Sequence, residues 1–397
     1  MKKNLIEKTI EGIRRKMQNR VVHYNFDDAI DWEENDHPRS KDGKFKKKGA
    51  GETGGAKVSS PKSSYGVSST PSPKTTGANA SLGEVKSGRN GDFRPKSERS
   101  KRIDTADAVS EFKNGKHNSL ESYVDDNGVL SEERQKVHDE IVYNFFKDKI
   151  PAKGTPTMIM SGGGPASGKS KVTKDAESNF GVETMVKIDP DEIKTMFPGY
   201  QEMAVEYYES GEKTQNAAAF YHEESSALAK RIYQYGLDNG VNVVYDGTGD
   251  GNIGSVKKKI EQAREAGYRV EGKYVTVDTE EALSRNQQRY EHGVKKYEEA
   301  KAKGEKTEPP RVVPDDRVEK IHRAVSDIVP EVAGMFDSYE LTDNNGDFGA
   351  EKPVIATCEN GGELKVVKGQ EDKLQRFLDK GEMGYKVGKD GIVRKKG

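Results

Sequence analysis

At 397 residues the chain is long enough for two or three domains, but only 32% of it is hydrophobic and its mean hydropathy is −0.93, too polar for a chain packed throughout. Its 66 basic and 67 acidic residues leave a formal charge of −1, which gives no whole-chain field toward nucleic acid or membrane. One cysteine, Cys358, excludes an intrachain disulfide and a cysteine-built zinc site; with no apolar run of membrane-spanning length and no secretory signal core, the chain is expected to be soluble and cytoplasmic.

Residues 1–22 place Leu5, Ile6, Ile10, Ile13, Met17 and Val21 at helical spacing among lysines and arginines. This is a basic amphipathic helix, opening a leader that runs to residue 34. It either docks a protein partner, lies on an anionic membrane, or packs on its own protein. Residues 35–103 are rich in Lys, Gly, Ser, Pro and Thr and read as a disordered linker. Order returns over 104–345, leaving 346–397 as a small C-terminal extension. Ser131 before Glu132-Glu133 carries a capping-box signature, and Val137, Ile141, Val142, Phe145 and Phe146 give the apolar face of the helix that follows.

From there strands and helices alternate. Strands are expected at Thr157–Met160, Met185–Ile188, Val241–Tyr245, Arg269–Val277 and Tyr339–Thr342, with helices at Phe220–Leu237, Ser255–Ala266 and Asp315–Val329. A long charged stretch, Glu280–Lys306, closes at Pro309-Pro310. The tail offers short strands at Val354–Ala356 and Leu364–Val367 and a helix at Asp372–Leu378. Strands separated by helices imply parallel βαβ units, hence an α/β fold with a parallel sheet flanked by helices.

The chemistry starts at Gly163-Gly164-Pro165-Ala166-Ser167-Gly168-Lys169-Ser170, which satisfies G-x-x-x-x-G-K-[ST] directly after the first strand. Glycines let the backbone turn its N–H groups toward phosphate oxygens, and the following helix adds its positive end. Lys169 would neutralise the β- and γ-phosphates of ATP or GTP, and Ser170 would offer its hydroxyl to Mg²⁺. The second strand runs into Asp189-Pro190-Asp191. There Asp191 either accepts the proton of an acceptor hydroxyl or, with Asp189, merely caps a helix starting at Glu192. The third strand ends in Asp246-Gly247-Thr248, where a carboxylate can hold a substrate hydroxyl or water-bound Mg²⁺, or simply belong to a turn. Arg289 and Arg311 flank the charged stretch; they form either a clamp on the transferring phosphoryl group or part of a solvated face. His222, His292 and His322 show no metal-ligand spacing and read as structural or exposed.

These residues, in this order, resemble the zeta toxins. Gly162–Ser170, Asp189-Pro190-Asp191 with Phe197-Pro198, Val243–Thr248, Arg289-Tyr290-Glu291 and Arg311–Pro314 followed by the His322 helix carry the likeness over about 130–345. The resemblance implies a P-loop kinase that phosphorylates a hydroxyl of a nucleotide sugar such as UDP-N-acetylglucosamine, with an antitoxin covering the nucleotide site. It gives Asp191 the base position, Arg289 and Arg311 the phosphate contacts around a lid near 280–311, and Asp246, with Asp189 and Thr248, the substrate side. Asp250 departs from the family, which has Arg there. Asp36–Phe45 looks like a short motif of phage structural proteins, pointing to phage or mobile-element origin and virion association. A nucleotide or polynucleotide kinase, or a phage-associated binding protein carrying a kinase-like domain, is the alternative.

Overall fold

The computed structural model describes residues 118–125, 129–210, 215–247, 249, 253–311, 313–346 and 352–396. The amphipathic helix, the low-complexity stretch and the leader motif lie outside them. All the described residues fall in one compact unit.

Five parallel strands make the centre of the fold: β1 (Thr157–Gly162), β2 (Met185–Ile188), β3 (Asn242–Asp246), β4 (Arg269–Thr276) and β5 (Ser338–Asp343). Their order is β2-β3-β1-β4-β5, so β1 is central and its neighbours arrive by helical crossovers. The apolar runs expected as strands are the ones found, because a parallel sheet is covered on both faces. Met158, Met160, Val186 and Val243 meet α1 (Glu132–Phe146) and the long helix α6 (His222–Asp238) on one side. Alternate residues, Ile159, Met185 and Val244, meet Val172 and Ala176 of α2 (Ser170–Phe180) on the other. At Gly272 a Cβ would lie 2.5 Å from the Tyr339 ring, so glycine is what lets that aromatic pack flat on β4.

Local boundaries depart from expectation where side chains compete. Ser131 caps α1 by accepting the Arg134 N–H at 3.4 Å, but the third helical residue is Arg134 itself, so the reciprocal acidic half of a capping box is missing. Helix α3 (Pro190–Thr195) starts two residues before Glu192, since Pro190 suits the first helical position and Asp189 caps it. It is followed by α4 (Tyr200–Glu209), which the sequence reading left unassigned. The helix expected over Phe220–Leu237 is α6, which starts two residues later at His222, and a short helix α5 (Gln215–Phe220) precedes it.

Beyond them come α7 (Ile253–Glu265), the 24-residue α8 (Thr279–Ala302) that carries most of the charged stretch, and α9 (Asp315–Val332). The tail adds β6 (Val354–Glu359) and β7 (Lys365–Val366) antiparallel to the far edge of the sheet. Helix α10 (Glu371–Leu378) buries Leu374, Phe377 and Leu378, ahead of a hairpin of β8 (Tyr385–Val387) and β9 (Val393–Lys395).

Candidate active site

The loop between β1 and α2 is shaped by its neighbours as much as by its glycines. Gly163 and Gly168 sit at φ 137° and 96°, and a side chain at Gly163, Gly164 or Gly168 would run into Val275 O at 2.2 Å, the His322 ring at 2.4 Å or Asn344 Nδ2 at 2.2 Å. Asn344, just past β5, donates to Ser167 O at 2.7 Å. His322 on α9 donates from Nε2 to Pro165 O at 3.0 Å. Burial pushes that imidazole down to about 4, with the nearby Lys380 and Lys169 ammonium groups adding to the effect, so the ring is neutral and its proton sits on Nε2. His322 is thus structural, as the sequence suggested, but it is buried at 3% exposure and shapes the phosphate loop.

Two observations test whether a nucleotide fits. The Ser167 hydroxyl is buried and meets no partner among the described residues, and the loop has no room for side chains between its outer supports and its concave side. Lys169 donates to Gly163 O and Gly164 O at 2.7 and 3.3 Å, holding its ammonium against the loop. Ser170 is exposed in the first turn of α2. Among the described residues no group of three His, Cys, Asp or Glu side chains could hold a metal ion. A Mg²⁺ here would rely on Ser170 and the oxygens of its nucleotide.

The acids gather at the C-terminal ends of β2 and β3, beside the loop. Asp189 is the cap of α3, its Oδ1 accepting the Asp191 N–H at 2.9 Å. Burial raises its carboxyl, and the nearby charge of Asp246 raises it further. Asp246 accepts the Ser161 hydroxyl at 2.8 Å. Asp191 is paired at 2.6 Å with Lys194, and 67% of its side chain is open to solvent although protein surrounds it on most sides: it lies in an open cleft. Lys194 first, against the cost of burial, and then Arg311 hold its carboxyl well below the usual range. Thr248 and Asp250 lie outside the described residues.

The two arginines both act electrostatically on Asp191. Arg289 is lowered by burial and by the charge of Arg311, while Asp191 works the other way; Arg311 is raised despite burial by Tyr200, Asp191 and Glu308. The link is Asn286, one turn before Arg289. It donates to Val313 O at 2.6 Å and so ties α8 to the chain just past Arg311. Arg311 is paired with Glu308 at 3.8 Å as well as acting on Asp191, and two like charges that raise each other's cost in this way suit an anion that both would bind.

Sequence reasoning missed Lys194, Asn286, Asn344 and Tyr200. Tyr200 is fully buried against Tyr221, and its hydroxyl sits beside Glu308 without a well-formed hydrogen bond among the described residues, with Arg311 and Asp191 also near it. Tyr200→Phe is expected to change stability by about 1 kcal/mol or less, because the hydroxyl it removes is buried beside Glu308 without a well-formed hydrogen bond. Turnover should fall about tenfold or more if the group serves the site. Thermal unfolding run beside ADP release checks both.

The Zeta toxin family model matches residues 143–347, just over half of the chain, and that span contains the loop, the acids and both arginines. The chain belongs to the zeta toxin family. It is a P-loop kinase-like, nucleotide-binding phosphotransferase, and β6 to β9 with α10 lie past the zeta toxin span. Among solved structures, the PezAT chromosomal toxin–antitoxin system of Streptococcus pneumoniae is similar at 17% identity over 54% of this chain and 80% of its own, with a TM-score of 0.40. The AvrRxo1-ORF1:AvrRxo1-ORF2 complex is similar in its form with ATP at 18% identity over 69% of this chain and 86% of its own, with a TM-score of 0.45. Its form with sulphate ions gives 19%, 66% and 82%, with a TM-score of 0.46. No curated protein matches the chain.

Proposed function

We propose that this zeta toxin-like enzyme transfers the γ-phosphoryl group of ATP or GTP to a hydroxyl of a nucleotide sugar such as UDP-N-acetylglucosamine. The observation that carries the reading is the phosphate loop at the end of β1, with Asp191 just past the end of β2 in the same sheet and both Arg289 and Arg311 within electrostatic reach of that carboxylate. Lys169 and the loop amides bind the nucleotide phosphates, and Ser170 offers its hydroxyl to Mg²⁺, which supplies further charge neutralisation when bound. Asp191 receives a hydrogen bond from the acceptor hydroxyl and aims it. As the oxygen bonds to the γ-phosphorus, the bond to the β–γ bridging oxygen breaks and the hydroxyl proton leaves by way of Asp191. Arg289 and Arg311 hold the charge on the transferring oxygens. Asp246, Asp189 and Thr248 take the sugar side.

The family resemblance further supports an antitoxin partner over the nucleotide site and action in the cytoplasm; the leader motif supports a mobile-element source. The test is mass spectrometry of UDP-N-acetylglucosamine incubated with the protein, ATP and Mg²⁺, with Asp191→Ala alongside. A product heavier by one phosphoryl group, made only by the parent, is expected. ADP released only when a bacterial metabolite extract is added would keep the kinase and overturn the acceptor.

A further inference from the structure

Lys194 is the least expected side chain of the site. A lysine is rarely buried this deeply, yet it is 5% exposed, and its ammonium meets one acceptor among the described residues, Asp191 Oδ1 at 2.6 Å. The asymmetry of the pair matters. In an ion pair that only braces a fold, the long lysine side chain normally reaches out to water. Here the cation is enclosed, and the carboxylate, 67% exposed, is presented to the cleft. Helix α3 is anchored by Ile193 and Phe197, which are 0% and 3% exposed, so Lys194 approaches Asp191 from the protein side.

We propose that Lys194 is a positioning residue for phosphoryl transfer, holding the Asp191 carboxylate toward the cleft in an ion pair that persists when phosphoryl oxygens engage the two arginines. The proposal rests on Asp191 being the group that receives the acceptor hydroxyl. The groups that act on that carboxylate among the described residues include Lys194 and the cap Asp189 on its own helix, Tyr200 from α4, His222 from α6, Arg289 from α8, and Arg311 between α8 and α9. Of the cations, both arginines have another task once substrate arrives. Lys194 has none.

A carboxylate paired in this way is ionised far into acid and is correspondingly a weak base. That suits a loose transfer in which little proton has moved at the transition state and the acid orients the hydroxyl more than it deprotonates it. Removing Lys194 therefore has a signed consequence. The Asp191 carboxyl rises toward the ordinary range of about 4 or higher, and an activity that needs it ionised falls away at a higher pH.

The experiment measures ADP release from ATP and Mg²⁺, with UDP-N-acetylglucosamine and with water alone as acceptor, from about pH 4 to about pH 9. It compares the full-length parent with Lys194→Met and Lys194→Arg. Lys194→Met should move the acid limb of kcat up by about one pH unit or more and lower kcat about a hundredfold, with KM for ATP changed less than about threefold. Lys194→Arg should restore the limb. If the Met variant does not fold, Lys194→Gln carries the same expectation. A lowered kcat with the acid limb unmoved would overturn the proposal while leaving the kinase standing. A parent silent with both acceptors is assayed across the same pH range with a bacterial metabolite extract as acceptor, and no ADP release there overturns the kinase reading and this proposal with it.

Discussion

Lys169→Met is expected to lower ADP release by about three orders of magnitude while leaving the fold intact. The side chain's two hydrogen bonds end on loop carbonyls, Gly163 O and Gly164 O; a charged donor gives at most about 1.5–3 kcal/mol each, and the ammonium keeps part of its hydration, so the loss to the fold is small beside the loss to catalysis. The loop itself is held by Asn344, by His322 and by the steric limits on its glycines, none of which involves the ammonium. The methionine keeps most of the aliphatic stem and removes only the charge that offsets the phosphates. Thermal unfolding with and without ATP separates the effects. The parent should be stabilised by about 2.7 kcal/mol at a nucleotide concentration a hundred times Kd, and the variant by far less at that concentration, with both unfolding at nearly the same temperature when nucleotide is absent. Equal stabilisation of parent and variant would reduce the loop to a glycine-rich turn and remove the ground for a kinase.

Legibility in the sequence followed locality. Met158-Ile159-Met160 and Val243-Val244 announced strands because a sheet covered on both faces leaves continuous apolar runs. The phosphate loop announced itself by the fixed spacing of its glycines, Lys169 and Ser170 directly after a strand, although the groups that crowd those glycines, Val275, His322 and Asn344, are distant in sequence. Helix α4 was obscured by the turn before it, where Gly199 sits at φ 85° and restarts the chain in a new direction. The arginine pair was ambiguous because its meaning is non-local: Arg289 and Arg311 act on each other across the connection from α8 to α9, which Asn286 ties down at Val313. A lone Lys or Glu within a helix reads as solvated, and nothing near Lys194 or Glu224 in sequence shows that each is buried beside an opposite charge.

Glu224 shows what that blindness hides, and Glu224→Ala is expected to cost about 3–5 kcal/mol of stability, a large part of the margin of an ordinary domain. Its carboxylate is 0% exposed. It takes Arg134 Nε and NH2 at 2.6 and 2.8 Å and His138 Nε2 at 2.8 Å, joining α1 to α6. Burial by itself would raise Glu224, but the hydrogen bonds from Arg134 and His138 win and bring it down to about 2. Such a lowered carboxyl contributes stability that is complete above the unfolded value of 4.5 and is lost as pH falls through about 2. Alanine leaves Arg134, 5% exposed, as a buried charge without its counter-ion. Urea unfolding at neutral pH should therefore separate parent from variant widely, and the gap should narrow by up to about 3 kcal/mol on acidification. The site should feel the change as well, because the Arg134 guanidinium lies 4.8 Å over Phe197, which stacks on Tyr221 at the foot of the helix that carries Asp191. Turnover should accordingly fall more than ATP affinity. A variant as stable as its parent would mean that Arg134 reaches water, and the anchoring of α3 would then rest on Ile193 and Phe197 alone.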